Sequence, residues 1–150
     1  MVHIAKKMMT AGATLVAAAG LVTTTAPTAH AEGSYNIRID AITTGVIADY
    51  CLLTTTSGNA RAACSGNKWG DTTFRLGVVH NTGDRVWLDI NVVGGTDRKG
   101  IDLQGKHYLQ VSGPVWALQV CGWKSLASHA AGNEGWSLHG TDRCFGAAPQ

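Results

Sequence analysis

The side chains in this sequence able to bind a metal, attack a carbonyl or move a proton are few. Four are cysteines, Cys51, Cys64, Cys121 and Cys144. None of them has the two-to-four-residue spacing of a zinc knuckle, so neither a metal site nor any other cofactor is expected. An even number of cysteines in an exported chain predicts disulfides instead. Of the three pairings open to four thiols, the spacing favours Cys51 with Cys64 and Cys121 with Cys144. Each bridge closes a hairpin-sized loop and stabilises the fold by about 3 kcal/mol through its constraint on the unfolded chain. With both formed, no thiolate remains to act as a nucleophile.

Beyond residue 31 the histidines are His80, His107, His129 and His139. No two have ligand spacing on a helix, and neither His-Glu-x-x-His nor Gly-x-Ser-x-Gly occurs. His129, His139 and Asp142 could converge, but three such residues on a loop and a strand are more often surface polar groups. Glycoside hydrolysis needs two carboxylates at a set separation. Glu134 is the only glutamate besides Glu32, and nothing among the eight aspartates singles out a partner. No catalytic residue is predicted, and the chain reads as a non-enzyme.

Five tryptophans, Trp69, Trp87, Trp116, Trp123 and Trp136, are the more unusual feature. Most are expected to fill the core and cover the disulfides. Trp87 is the exception, because alternation points it away from Val86, Leu88 and Ile90 and onto the face of Arg85 and Asp89. An indole with polar neighbours suits stacking on a sugar ring or on an aromatic of a partner, so Trp87, Arg85 and Asp89 form the candidate binding surface.

The elements that must position these residues are strands. Beyond residue 31, Val, Ile and Thr number 25, against 10 for Glu, Lys, Gln and Met together. Branched side chains lose less on a pleated surface than on a helix. Residues 35–40 alternate strictly, and residues 46–56 and 60–64 read as a hairpin tied by Cys51 and Cys64. Residues 72–80 and 85–93 each have one apolar face, and Asn81-Thr82-Gly83-Asp84 between them predicts an antiparallel hairpin. Residues 94–100 read as a flexible connector and Gln104-Gly105 as a tight turn. A strand over 107–111 follows, then one over 115–123 with Trp116, Leu118 and Val120 inward, a polar loop over 125–135, and a last strand over 136–145. About eight strands with a turn every 8 to 12 residues predict a single all-β domain, an antiparallel β-sandwich or small barrel with two disulfides.

The first 31 residues read as a secretory signal peptide that is removed. Lys6 and Lys7 precede an apolar run over 8–22, and Ala29-His30-Ala31 has the small-x-small pattern of a cleavage site. Removal leaves residues 32–150, in which ten basic residues balance ten acidic ones, so the formal +2 of the whole chain falls to zero. A neutral domain lacks the clustered positive charge that nucleic acid or an anionic membrane demands. No second apolar run of about 18 residues follows to span a bilayer.

The stretch from His80-Asn81-Thr82-Gly83 through Asn91, together with Tyr108 to Ser112, Gly113-Pro114-Val115-Trp116, Cys121-Gly122-Trp123 and Gly135-Trp136-Ser137 to Cys144, resembles the spore-associated protein A family of small secreted actinomycete proteins. The resemblance covers about the last 75 residues. It implies export and association with spores or aerial hyphae, and it carries no catalytic residues. The leading expectation is a secreted, non-enzymatic β protein at the cell or spore surface, its partner a cell-wall or spore-surface component or a secreted protein. Alternatives are a secreted inhibitor or toxin-like protein that binds through the loop over 94–100, and a carbohydrate-binding domain using Trp87.

Overall fold

Alternation of apolar and polar side chains gives each strand one face to bury. The computed structural model, which describes residues 32–55, 61–133, 135–138 and 144, lays these strands out in two sheets. Residues 1–31, expected from the sequence to be a secretory signal peptide, lie outside the described residues. In chain order the strands are β1 (Glu32–Ile42), β2 (Ile47–Thr54), β3 (Arg61–Trp69), β4 (Thr72–Asn81), β5 (Val86–Val92), β6 (Arg98–Asp102), β7 (Tyr108–Ser112) and β8 (Gln119–Trp123). A short helix α1 (Leu126–Ala130) and a two-residue strand β9 (Trp136–Ser137) follow. One sheet has the order β4-β1-β7-β8-β9 and the other β3-β2-β5-β6. Among the described residues every pairing is antiparallel except that of β1 with β7.

The two inner faces form one core. Ile37 and Ile39 of β1, Leu109 and Val111 of β7 and Val120 of β8 pack with Tyr50 and Leu52 of β2, Leu88 and Ile90 of β5 and Ile101 of β6. The fold is an all-β sandwich. Cys51 is bridged to Cys64 across β2 and β3, and Cys121 of β8 to Cys144, as the spacing predicts. Two disulfides require an oxidising compartment to form and persist. Among the described residues no helix is long and apolar enough to cross a membrane.

The expected hairpin of residues 72–80 with 85–93 is not formed. Both strands are present, but β4 pairs with β1 while β5 pairs with β2 and β6 in the opposite sheet. The turn itself closes as its sequence suggests, with the Asp84 amide donating to the Asn81 carbonyl at 3.0 Å and the Asn81 amide to the Asp84 carboxylate at 2.9 Å. Turn chemistry fixes a reversal of direction, not the sheet that receives the second strand. Here the chain crosses the sandwich, so both apolar faces meet the same core from opposite sides.

Three other expectations are corrected. The connector over 94–100 is partly strand, because Ile101 and Leu103 are both fully buried and anchor β6 beside β5. A register shift opposite Asp89 is absorbed at Gly100, whose φ of 66° is open to glycine, and the Gly100 amide donates to the Asp89 carboxylate at 2.7 Å. The polar loop over 125–135 contains α1, capped by the Ser125 hydroxyl, which accepts from the Ser128 amide at 3.1 Å. The strand over 115–123 begins only at Gln119, since Pro114 to Ala117 make a turn closed by the Ala117 amide on the Pro114 carbonyl at 2.9 Å. Leu118 and Val120 are buried as expected, but Trp116 rides on that turn and points outward. Of the expected last strand, β9 pairs along β8 and the Leu138 amide donates to the Val120 carbonyl, while residues 139–143 lie outside the described residues.

Candidate functional site

The sandwich has two ends, each made by the connections between its strands. At one end lie the turns that join β1 to β2, β3 to β4, β5 to β6 and β7 to β8. Four large apolar side chains are left in water there: Ile42, Trp69, Val93 and Trp116. Hydrogen bonds tie their turns together. Trp69 stands opposite Ile47 in the β2–β3 ladder, and the Ile47 carbonyl accepts from the Val93 amide at 2.9 Å. The Thr96 amide donates to the Val115 carbonyl at 2.9 Å, which joins the Val93 turn to the Trp116 turn. Gly95 permits this approach, since a Cβ there would overlap the Val115 backbone and stand 2.8 Å from the Val115 Cβ.

The two indoles are the most exposed large apolar side chains of the described residues, Trp69 at 74% and Trp116 at 70%. Beside Trp69 the chain continues through Gly70 into a cleft of about 340 Å³ lined by Asp40, Ala41, Ile42, Asp71, Thr72 and Thr73. This end therefore combines flat aromatic faces with hydroxyls and carboxylates. The expectation that most tryptophans fill the core is corrected: Trp123 alone is fully buried, while Trp69, Trp116 and Trp136 are exposed. Position beside turn residues was the available signal, since Trp69 precedes Gly70-Asp71 and Trp116 follows Gly113-Pro114.

Trp87 does lie on the outer face of its sheet, as alternation predicts, but it is half-buried, flanked on its neighbouring strands by Leu53 and Asp102. Arg85 is ion-paired to Asp102 at 2.9 Å, and Asp89 is engaged with the Gly100 amide and stands 4.0 Å from Lys99. The three are thus taken up by neighbours within the sheet. Asp97 in the 94–100 segment accepts from the Val92 amide at 2.7 Å, which tethers that segment.

The outer face of the other sheet carries a second apolar cluster of Tyr108, Cys121, Trp123 and Cys144. His129 of α1 caps it, edge-on to Tyr108 at 4.9 Å and to Trp123 at 4.6 Å. The Trp123 indole donates to the Asn133 carbonyl at 3.0 Å. His129 is thereby a packing residue, while its suggested companions His139 and Asp142, like Glu134, lie outside the described residues. At the far end of the sandwich His107 stacks on Tyr35 at 4.6 Å and His80 meets the same ring edge-on at 6.2 Å.

Asp40 and Tyr108 form a hydrogen-bonded pair in which both groups are shifted from their ordinary values. Burial favours the neutral acid at Asp40, but hydrogen bonds from Arg38, Tyr108 and Thr73 and the Arg38 charge outweigh it and hold the carboxyl below its usual range. Burial pushes Tyr108 up, and its bond to Asp40 and that carboxylate's charge push it further. Both shifts move the pair away from neutrality, so neither group is poised to exchange a proton there. Among the described residues Asp49, Cys51 and Cys64 are the one group of three close enough to share a metal ion, but both sulfurs are consumed by the disulfide. Comparison with family models, with curated proteins and with solved structures finds no match for this chain.

Proposed function

We propose that this protein is secreted and acts outside the cell as a non-enzymatic β-sandwich that attaches to glycan of the cell or spore surface through Trp69 and Trp116. The observation that carries this reading is the exposure of both indoles at one end of a rigid scaffold. Covering a large side chain of this kind is worth about 1.5–3 kcal/mol, so two of them left in water represent unspent binding energy. A pyranose offers an apolar face to stack on an indole and a rim of hydroxyls to bond. Asp71, Thr72 and Thr73 supply acceptors and donors for that rim. The zero net charge of residues 32–150 disfavours a purely electrostatic partner.

Two disulfides support an extracytoplasmic site of action, and the resemblance noted in the sequence supports the spore or hyphal surface. The test is co-sedimentation of the purified protein with peptidoglycan, with chitin and with washed spores, comparing wild type with Trp69→Ala, Trp116→Ala and the double variant. The double variant should lose at least about tenfold in affinity while its thermal midpoint stays that of wild type, because neither indole contributes to the core. Retention of full binding by the double variant, or no binding by the wild type to any of the three, would overturn the reading.

A further inference from the structure

At the opposite end of the sandwich from Trp69 and Trp116, we infer a second binding site, a cleft for a carboxylate-bearing pyranose built from Trp136, Lys106 and Lys124. The cleft has a volume of about 270 Å³ and is lined by Gln104, Gly105, Lys106, Lys124 and Trp136. Among the described residues that line it none is acidic, although acids and bases balance over residues 32–150. The lining includes the indole of Trp136, which is 47% exposed although it pairs through its backbone with Gly122 of β8.

Lys106 is held in place. Its ammonium stands 4.6 Å from the centre of the Trp136 ring and donates to the Gln104 carbonyl at 3.2 Å. Gly122 makes room for its stem, since a Cβ there would come within 3.0 Å of the Lys106 Cγ. A positive charge fixed over one face of a half-exposed indole, with a second lysine on the same rim, favours a ligand that carries a flat apolar face for the rest of the ring and an anionic group together. A sugar ring with a carboxylate substituent answers both demands. A neutral sugar answers only the first.

The backbone of the turn that leads into Lys106 is strained. Gln104 adopts φ of 48°, the only described non-glycine residue with positive φ, and Gly105 follows at 72°. A left-handed glutamine is disfavoured by its Cβ, and such strain persists where the surrounding structure holds it. Here the Lys106 amide closes the turn on the Leu103 carbonyl at 2.8 Å and the Gln104 amide donates to Asp102 at 3.1 Å. That turn is also the shared wall of an adjoining cleft of about 230 Å³ lined by Tyr35, His80, Asp84, Arg85, Val86 and Asp102.

The experiment titrates the purified protein with tetragalacturonate and, in parallel, with cellotetraose, following intrinsic tryptophan fluorescence and calorimetry. Tetragalacturonate should bind at least about tenfold more tightly than cellotetraose and weaken with added salt. Lys124→Ala should cost about fivefold, the scale of one exposed ion pair, and Trp136→Ala should abolish the fluorescence response. Trp69→Ala/Trp116→Ala should leave this titration unchanged, which separates this site from the attachment proposed above. Equal affinity for the two oligosaccharides, no binding of tetragalacturonate up to millimolar concentration, or loss of its binding in Trp69→Ala/Trp116→Ala would each overturn the inference.

Discussion

Tyr108 donates its hydroxyl to the Asp40 carboxylate at 2.8 Å, a bond that fastens β7 to β1 across their parallel pairing. The same carboxylate accepts from the Arg38 Nε at 3.0 Å, and the Arg38 guanidinium stands 6.0 Å from the Tyr108 ring. Parallel ladders are slightly less stable per residue than antiparallel ones, so side-chain bonds across this seam matter. Tyr108→Phe keeps the ring in the Trp123 cluster and deletes only the donor. It should lower the unfolding free energy by about 1–2 kcal/mol in urea titrations, with the denaturant slope unchanged.

The same carboxylate predicts an acid limb. Burial raises the Asp40 pKa, but the hydrogen bonds from Arg38, Tyr108 and Thr73 and the Arg38 charge lower it further, leaving it below its unfolded value near 3.9. A depressed folded pKa means that the unfolded state takes up the proton first as pH falls. The contribution is therefore complete above about pH 4 and is lost as pH drops through the folded value. Urea unfolding measured from pH 7 down to pH 2.5 should show this decline, and Asp40→Asn should flatten it. An identical slope in the variant would assign the acid limb to other carboxylates.

Much of the sandwich was legible because alternation survives in the strands that face the core, as in Val86, Leu88, Ile90 and Val92, all buried. The disulfide partners were legible from spacing alone, because each pair sits on neighbouring segments. Sheet membership was not. Asn81 to Asp84 encode a reversal, and whether β5 then pairs with β4 or crosses to β2 depends on residues more than thirty positions away. The exposed tryptophans were missed for a related reason: hydrophobicity predicts burial on average, whereas Trp116 owes its exposure to the Pro114–Ala117 turn. Likewise Lys106 and Trp136 are thirty residues apart and meet only because β7 and β9 both flank β8.

All three tyrosines of the chain should titrate late. Burial lifts Tyr35 to about 12, with Asp102 adding to the effect, and burial alone lifts Tyr50 to about 12. Tyr108 is raised for the reasons already given. A raised folded pKa contributes stability that is complete below the unfolded value near 10 and is lost as pH rises through the folded one. Absorbance at 295 nm should show almost no phenolate at pH 10, followed by ionisation that coincides with loss of the near-ultraviolet dichroism. A simple titration centred on pH 10 in the folded protein would contradict this.

The two disulfides should differ in what their removal exposes. Cys51 and Cys64 join strands already paired along β2 and β3, with a sequence separation of 13, whereas Cys121–Cys144 spans 23 and helps cover the Tyr108–Trp123 cluster. Chain-entropy arguments give about 3 kcal/mol for either. Replacing Cys51 and Cys64 together by serine should lower the melting temperature with little change in tryptophan emission. Replacing Cys121 and Cys144 should also shift emission to the red, because Trp123, fully buried in the intact protein, gains access to water.

Gly135 tests the closure of that cluster. Its Cα lies against the Trp123 indole, so that an added Cβ would overlap the Cζ2 and Cε2 atoms and stand 2.9 Å from the indole nitrogen. The ring cannot retreat, being held by Tyr108, by His129 and by its bond to the Asn133 carbonyl. The 135 backbone must therefore move away and take Trp136 with it. Gly135→Ala should cost about 1–3 kcal/mol in chemical denaturation, the range for overpacking a well-filled site. Because β9 is only two residues long, the same change should weaken its pairing to β8, visible as faster amide exchange at Leu138, whose amide donates to the Val120 carbonyl at 3.0 Å. Wild-type stability together with unchanged exchange at Leu138 would show that the loop carrying Gly135 does not rest on Trp123 in solution.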